Sequence, residues 1–391
     1  MINIKRGRLG KPLLLALVLG FAAFGLFGWG LSSLTPGLSP AEAAARVSSS
    51  SLGAIAGSPI NAPHKLTQLL FGHIPLPDSI ALRLASVGAA LIFTACFYLL
   101  VRHWFGKTVG IFGTLLFIST PLVIVMARQG SPEIMYLSPL AAAGAYYWLI
   151  RTKRHLNAAW LTLFVVSGLA LYTPGVIWWL ILGAIAARVV LTNGARRVGR
   201  GIFLGSFAIL AIILAPLVAA VAKEPLVLKS LLLVPSKWPQ IPEALESIGG
   251  MAVGLVWQAP YHHPLIINKL PLLAMAQVAL AIFGAYAMFA KAKNKVYILM
   301  SVLLLGVIAA GLNQNLAILA FVLPVVSLLA AAGLRFLYLE WKVIFPKNPL
   351  AHMLAIFLML SLIGAHLFFG VRYGLVAWPR SMETRQLYVL Q

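Results

Sequence analysis

The sequence predicts an all-α, polytopic integral membrane protein, and three observations carry that prediction. Apolar stretches of span length recur along nearly the whole chain of 391 residues. Hydrophobic residues make up 61% of the total and charged residues only 10%, a balance far from that of a water-soluble globular domain. The basic residues gather in short loops between the apolar stretches, the pattern that orients a polytopic chain in a bilayer.

Eleven spans are expected, near residues 12–34, 81–101, 108–127, 133–150, 157–172, 174–190, 201–221, 269–290, 296–311, 314–335 and 350–370. The first follows "KRGR" and precedes an A-x-A region, as a signal peptide would. Its apolar stretch exceeds the usual core of about 7–15 residues, so an uncleaved helix is expected. "RHWFGK", "RTKRH", "RVVLTNGARRVGR", "KAKNK" and "RFLYLEWKVIFPK" then join spans two to three, four to five, six to seven, eight to nine and ten to eleven. All the basic loops share one side only if every span is present, and the positive-inside rule makes that side cytoplasmic. "LALYTPGVIWWL" is read as two helices joined by a Pro174-Gly175 turn, because only then do its flanking basic loops agree.

The chain 1–391 is thus expected to be one transmembrane domain of the plasma membrane, with its N-terminus in the cytoplasm. Two long extracytoplasmic loops, 35–80 and 222–268, the tight turns "RQGSPE", "YTPG" and "LNQN", and a tail at 371–391 lie outside. The first loop is expected to carry short interfacial helices and a mobile Ser-rich stretch at 44–58. The net charge of +22 would suggest nucleic acid in a soluble protein, but no soluble basic domain exists to bind it. A single cysteine, Cys96, rules out an internal disulfide or a cysteine metal cluster. Walker A, HExxH and GxSxG sequences are absent, which disfavours an ATP-driven pump or a zinc protease of those types.

The chain has only eight acidic residues, and Glu340 alone falls on the cytoplasmic side. Chemistry is therefore expected outside. In "LSPAEAA", Ser39 and Glu42 have the spacing of a capping box. In "RQGSPEI", Ser131 is a candidate cap, Pro132 a first helical residue and Glu133 an acid favoured at a helix N-terminus. Each acid has this structural reading; two of them at outer membrane edges also suit general-base work on an acceptor hydroxyl or amine. Lys65, Arg83 and Arg128 are candidates for a phosphate, with His64, Tyr261, His262, His263 and Lys269 as further candidates for substrate contact. Snorkelling to lipid headgroups is the alternative for each cation. Adjacent His262 and His263 lack a clear third ligand, so no metal site is expected.

This pattern resembles the membrane glycosyltransferases of the C superfold, near the bacterial relatives of protein O-mannosyltransferases and of the lipid A aminoarabinose transferase. The resemblance rests on an acid after span one, "AR-x-x-x-P-E" ending at Glu133, "APHKLTQLL" in the first loop and "RLAS" opening span two. It is best over residues 10–190 and elsewhere lies in topology. The family's usual Asp in the second motif is Glu133 here, its diproline after Lys65 is missing, and Ala85 replaces a proline. The resemblance implies Glu42 as catalytic base, Glu133 as a second catalytic acid and Lys65 as a contact to lipid phosphate. It implies a sugar donor linked to polyprenyl phosphate, membrane lipids as partners, and a protein or glycan acceptor. No divalent metal is required, because the leaving group is already an anionic phosphate. A ligase, polymerase or flippase-like binder of lipid-linked oligosaccharide is the nearest alternative, and a non-catalytic membrane assembly protein another. A transporter fits less well, since charges near mid-span are nearly absent.

Overall fold

The computed structural model describes residues 10–152, 154–235 and 237–388. They form helices, with no extended strand among the described residues. Each of the eleven expected segments coincides with a helix, but they are not eleven full spans. Six described helices are long and apolar enough to cross a bilayer: Asp78–Phe105, Val176–Arg197, Arg200–Lys223, Lys293–Leu312, Leu316–Ile344 and Pro349–Arg380. A seventh exists if Lys107–Ile118 and Pro121–Arg128, bent by 65° at their junction, cross as one unit. The other segments fold as Gly10–Gly28, Pro139–Arg151, Leu156–Ala170 and Met275–Lys291. The protein is therefore a multi-pass helical membrane protein with several elements shorter than the sequence suggests.

The break in the third expected span has a local cause. Pro121 opens its second half and has no N–H to donate. Thr120 N donates to Phe117 O at 3.2 Å, and the Leu116 carbonyl, so left without its helical donor, accepts from Thr120 Oγ1 at 3.0 Å and from His366 Nε2 at 3.1 Å. Inside a bilayer such side-chain partners are what permit a helix to break. The fourth expected span likewise begins as a 3-10 turn, Pro132–Leu137, before Pro139–Arg151.

The core is built around Leu316–Ile344, whose apolar window is wholly buried. It starts as a 3-10 segment capped by Asn315 Oδ1, which accepts from Ala317 N at 3.0 Å. Met275–Lys291 crosses it with backbones in direct contact, because Gly284 and Gly333 face each other. A Cβ on Gly284 would collide with Leu329 O, and one on Gly333 with Leu280 O. Near this crossing, buried Gln277 donates from Nε2 to Thr120 Oγ1 at 3.2 Å and to Ser327 Oγ at 3.0 Å.

The expected outer segments meet at one end of the bundle. Asn61 N donates to Tyr172 O at 2.8 Å, and Gly175 N to Leu231 O at 2.8 Å. Asn313 Nδ2 donates to Leu233 O at 2.8 Å, and Tyr261 OH to Gln314 O at 2.8 Å. The final helix runs on to Arg380 through a π-helical stretch at Arg372–Ala377, so the tail begins ten residues later than 371. Trp378 Nε1 ties it to Pro264 O at 3.0 Å. The first loop folds as Pro40–Ser48, Leu52–Gly57 and Ala62–Gly72. Its Ser-rich stretch is ordered helix, with Ser51 Oγ capping Ala54 N at 3.1 Å.

Gly333→Leu is expected to force the crossing apart and destabilise the protein by about 1–3 kcal/mol or more. A thermal melt in detergent, with Gly364→Leu as the control where a Cβ meets nothing, checks this.

Candidate active site

The capping box at the start of the first loop forms as the spacing predicts. Ser39 N donates to Glu42 Oε2 at 3.0 Å, and Glu42 N to Ser39 Oγ at 3.3 Å. The same carboxylate does more. Its Oε1 accepts from Arg83 Nε at 2.8 Å and from Gly130 N at 2.8 Å. Its Oε2 also accepts from Arg83 Nη2 at 3.0 Å. Glu42 is completely buried. It joins the first loop, the helix Asp78–Phe105 and the turn after Arg128.

Arg83 is completely buried too. Beyond its two bonds to Glu42, Nη1 donates to Leu31 O and, at 2.8 Å, to Thr35 O; Nη2 donates to Gly37 O at 2.7 Å. These contacts use all five guanidinium N–H groups. The ring of Tyr388, from the tail, covers the guanidinium at 5.3 Å. The expectation that Arg83 offers a free guanidinium to a phosphate is therefore not met. Its hydrogens are spent on protein oxygens.

Arg128 also differs from expectation. It makes no ion pair with Glu133; the two ion pairs among the described residues are Arg83–Glu42 and Arg46–Asp78. Instead it lies under the end of the helix Gly10–Gly28. Nη1 donates to Phe27 O at 3.3 Å and Trp29 O at 2.6 Å, and Nη2 to Gly30 O at 3.3 Å. Carbonyls at a helix C-terminus lack intrahelical partners, and a cation there is favourable. Arg128 is 3% exposed, so it presents no open face to a ligand.

Glu133 sits at the start of the 3-10 turn Pro132–Leu137. Ser131 occupies the cap position, but its hydroxyl donates to Gln129 Oε1 at 3.2 Å and does not cap the turn. Glu133 is partly buried, and its Oε2 is enclosed without a hydrogen-bond partner. Burial foremost, and the Glu42 charge in addition, push its carboxyl above the ordinary range.

The helix Ala62–Gly72 turns His64, Lys65 and Gln68 inward. His64 Nε2 pairs with Ser86 Oγ at 2.9 Å, and Ser86 Oγ lies 3.5 Å from Ser131 O. Burial, then the Lys65 charge, lower His64 to about 4. Lys65 Nζ donates to Ser58 O at 2.5 Å and Ser58 Oγ at 3.1 Å, leaving one of its three hydrogens free. Burial lowers its pKa. Gln68 Nε2 donates to Gly130 O at 2.5 Å, so both ends of the Gly130 peptide are held.

The second long loop contributes elsewhere. Tyr261 holds the turn at Gln314. His263 Nδ1 accepts from Leu265 N at 3.2 Å, and burial lowers this residue to about 4. His262 is exposed, and Lys269 is joined to Ala259 through its backbone carbonyl. None is hydrogen-bonded to the Glu42 cluster. No group of three metal-ligating side chains occurs among the described residues.

Three contributors were not singled out in the sequence. Gln68 shares a helix face with His64, a signal that was legible. Gly130 is a loop glycine whose added Cβ would press within 3.4 Å of Glu42 and 3.0 Å of Leu82. Tyr388 lies more than 300 residues from Arg83 in the chain, and nothing local marks it.

Beside this cluster lies an apolar groove of about 330 Å³. First-loop residues Ile55, Pro59 and Leu66 form one wall; Leu169, Ile213 and Pro216 form the other. Pro216 lies within the continuous helix Arg200–Lys223 there, and Tyr172 OH donates to Ile213 O at 2.5 Å.

The fold is shared with membrane proteins of known structure. The structure of ArnT from Cupriavidus metallidurans bound to undecaprenyl phosphate is similar with a TM-score of 0.54 at 13% identity, covering 97% of this chain and 77% of that one. The archaeal oligosaccharyltransferase AglB from Archaeoglobus fulgidus, in complex with an inhibitory peptide and a dolichol-phosphate, is similar with a TM-score of 0.55 at 12% identity. That match covers 93% of this chain and 56% of AglB. Within the chain, residues 65–219 match the family of dolichyl-phosphate-mannose-protein mannosyltransferases. No curated protein matches the chain by sequence.

Two outcomes follow from the site's geometry. Lysine carries three hydrogens against five in arginine, so Arg83→Lys loses at least two charged hydrogen bonds and is expected to cost on the order of 3 kcal/mol; chemical unfolding in detergent measures it. His64 is depressed from 6.5 to about 4 in the folded protein. The unfolded chain then binds more protons between those values, so the stability His64 contributes is present above about pH 6.5 and lost as the pH falls towards 4. Melting temperatures across that window are expected to fall less steeply in His64→Gln.

Proposed function

We propose that this protein transfers a sugar from a polyprenyl-phosphate carrier to a protein or glycan acceptor on the extracytoplasmic face of the plasma membrane. The observation that carries the reading is the convergence of Glu42 and Glu133, from separate outer segments, on one buried cluster beside an apolar groove. The groove suits an isoprenoid chain: its lining has no charged side chain, and it opens between the first loop and two apolar helices. Lys65 stands among its lining residues in sequence and keeps one hydrogen free for a phosphate oxygen, whereas Arg83 is saturated and Arg128 is buried under the end of the first helix. The similarity to ArnT bound to undecaprenyl phosphate and to the mannosyltransferase family supports the same substrate class.

In this reading the acceptor oxygen or nitrogen attacks the anomeric carbon, a carboxylate takes its proton, and polyprenyl phosphate departs. The leaving group needs no further activation, so transfer proceeds without a divalent cation. The N-terminus lies in the cytoplasm, and the tail lies outside with the site.

The test is reconstitution in nanodiscs with labelled dolichyl-phosphate mannose and undecaprenyl-phosphate-linked sugars, using cell envelope from a strain lacking this protein as acceptor. Transfer in the presence of EDTA is expected. Lys65→Ala is expected to raise the KM for the donor about tenfold or more, the worth of one charged hydrogen bond. Ala62→Trp is expected to block the groove and abolish retention of the lipid in native mass spectrometry. Failure to retain or consume any polyprenyl-phosphate donor would falsify the proposal.

A further inference from the structure

The two carboxylates of the site are chemically unequal. A carboxylate has about four lone-pair positions, and four donors fill those of Glu42: Arg83 Nε and Gly130 N on one oxygen, Ser39 N and Arg83 Nη2 on the other. To accept a proton, Glu42 must surrender one of these bonds. It must also leave Arg83, wholly enclosed, without its balancing charge, and an uncompensated buried charge is strongly unfavourable. Glu133 is less committed. Its Oε2 lies enclosed with no donor, and the residue as a whole is only partly buried.

The geometry also joins the two acids. Glu42 Oε1 holds the Gly130 N–H, and Gln68 Nε2 holds the Gly130 carbonyl. Glu133 follows three residues later, with Pro132 fixing one backbone angle between them. The position of Glu133 is thus set by a glycine held at both its N–H and its carbonyl.

We infer that Glu133 is the group that takes the acceptor's proton, and that Glu42 is a positioning residue acting through Arg83 and the Gly130 peptide. The inference rests on the transfer reaction proposed above and reverses the roles that family resemblance implies. The proton of the acceptor O–H or N–H passes to the Glu133 carboxylate. The electron pair left on the acceptor forms the bond to the anomeric carbon. The bond from that carbon to the phosphate oxygen breaks, and its pair leaves with polyprenyl phosphate. Glu133 then loses its proton to water. The titratable groups around Glu133 are Glu42 from the first loop, Tyr136 from its own turn and Tyr388 from the tail. Burial and the Glu42 charge raise the carboxyl of Glu133, which makes it the better proton acceptor of an acid pair.

The experiment compares wild type, Glu133→Gln, Glu42→Gln and Gln68→Met in nanodiscs, with labelled dolichyl-phosphate mannose as donor and envelope as acceptor. Glu133→Gln removes no hydrogen bond to Oε2 and is expected to fold and to retain the donor lipid. Its kcat is expected to fall about 100-fold or more, the usual share of a general base, and the acidic limb of the pH–rate profile disappears with it. Glu42→Gln also weakens the Arg83 pair, so Gln68→Met serves as the positioning probe. It is expected to lower kcat while leaving the acidic limb at the same pH. Wild-type rate in Glu133→Gln, or an acidic limb that survives there, overturns the assignment. A wild-type protein that transfers sugar from no polyprenyl-phosphate donor removes the transferase reading itself, a separate and distinguishable result.

Discussion

The buried pair of Arg83 and Glu42 organises one end of the helix bundle. Enclosing a guanidinium costs several kcal/mol in lost hydration unless its hydrogens find acceptors and its charge a partner. Here the carbonyls of Leu31, Thr35 and Gly37 converge on it, and the carboxylate of Glu42 lies alongside in a two-point contact. Satisfying one cation therefore fixes the path of the chain from the end of the first helix to the first-loop helix. The tail closes the arrangement by laying Tyr388 over the guanidinium. Separate segments become interdependent through one desolvated charge.

The bend at Pro121 serves the same end. A straight helix through residues 107–128 would carry Arg128 away from its observed partners. The break turns Pro121–Arg128 by 65°, and Arg128 then meets the unpaired carbonyls of the first helix. The following turn is pressed between Glu42 and Gln68. What holds the turn is hydrogen bonding to a single peptide, which demands the small Gly130 at that place. The site is thus an assembly of loops given precision by buried polar contacts, on a scaffold given rigidity by the glycine crossing of Gly284 and Gly333.

The distribution of free hydrogens separates structural cations from a cation able to bind a ligand. Three basic residues converge near the acids, and counting positive charges alone would assign all of them to a phosphate. Counting donors gives a different answer. Arg83 is saturated, Arg128 caps a helix and is buried with its Nε unpaired, and Lys65 keeps one hydrogen beyond the two held by Ser58. Lys65 is also the one of the three on the helix that lines the apolar groove.

By itself the sequence determined the membrane class, the segments that became helices, the capping box at Glu42 and the sharp turn at Pro174-Gly175. Those features depend on local properties: apolar length, charge in short loops, and the hydrogen bonds available within a few residues. It also marked Glu42, Lys65, Arg83, Arg128 and Glu133 as unusual, because charge is rare in this chain. Only the tertiary structure decided what each does. Whether a buried arginine is free or spent depends on carbonyls some 50 to 100 residues away, and the donors that surround a buried carboxylate come from segments equally distant. The break at Pro121, the late start of the tail and the role of Tyr388 share that dependence. They follow from long-range partners for backbone and side-chain polar groups, and no local pattern encodes those partners.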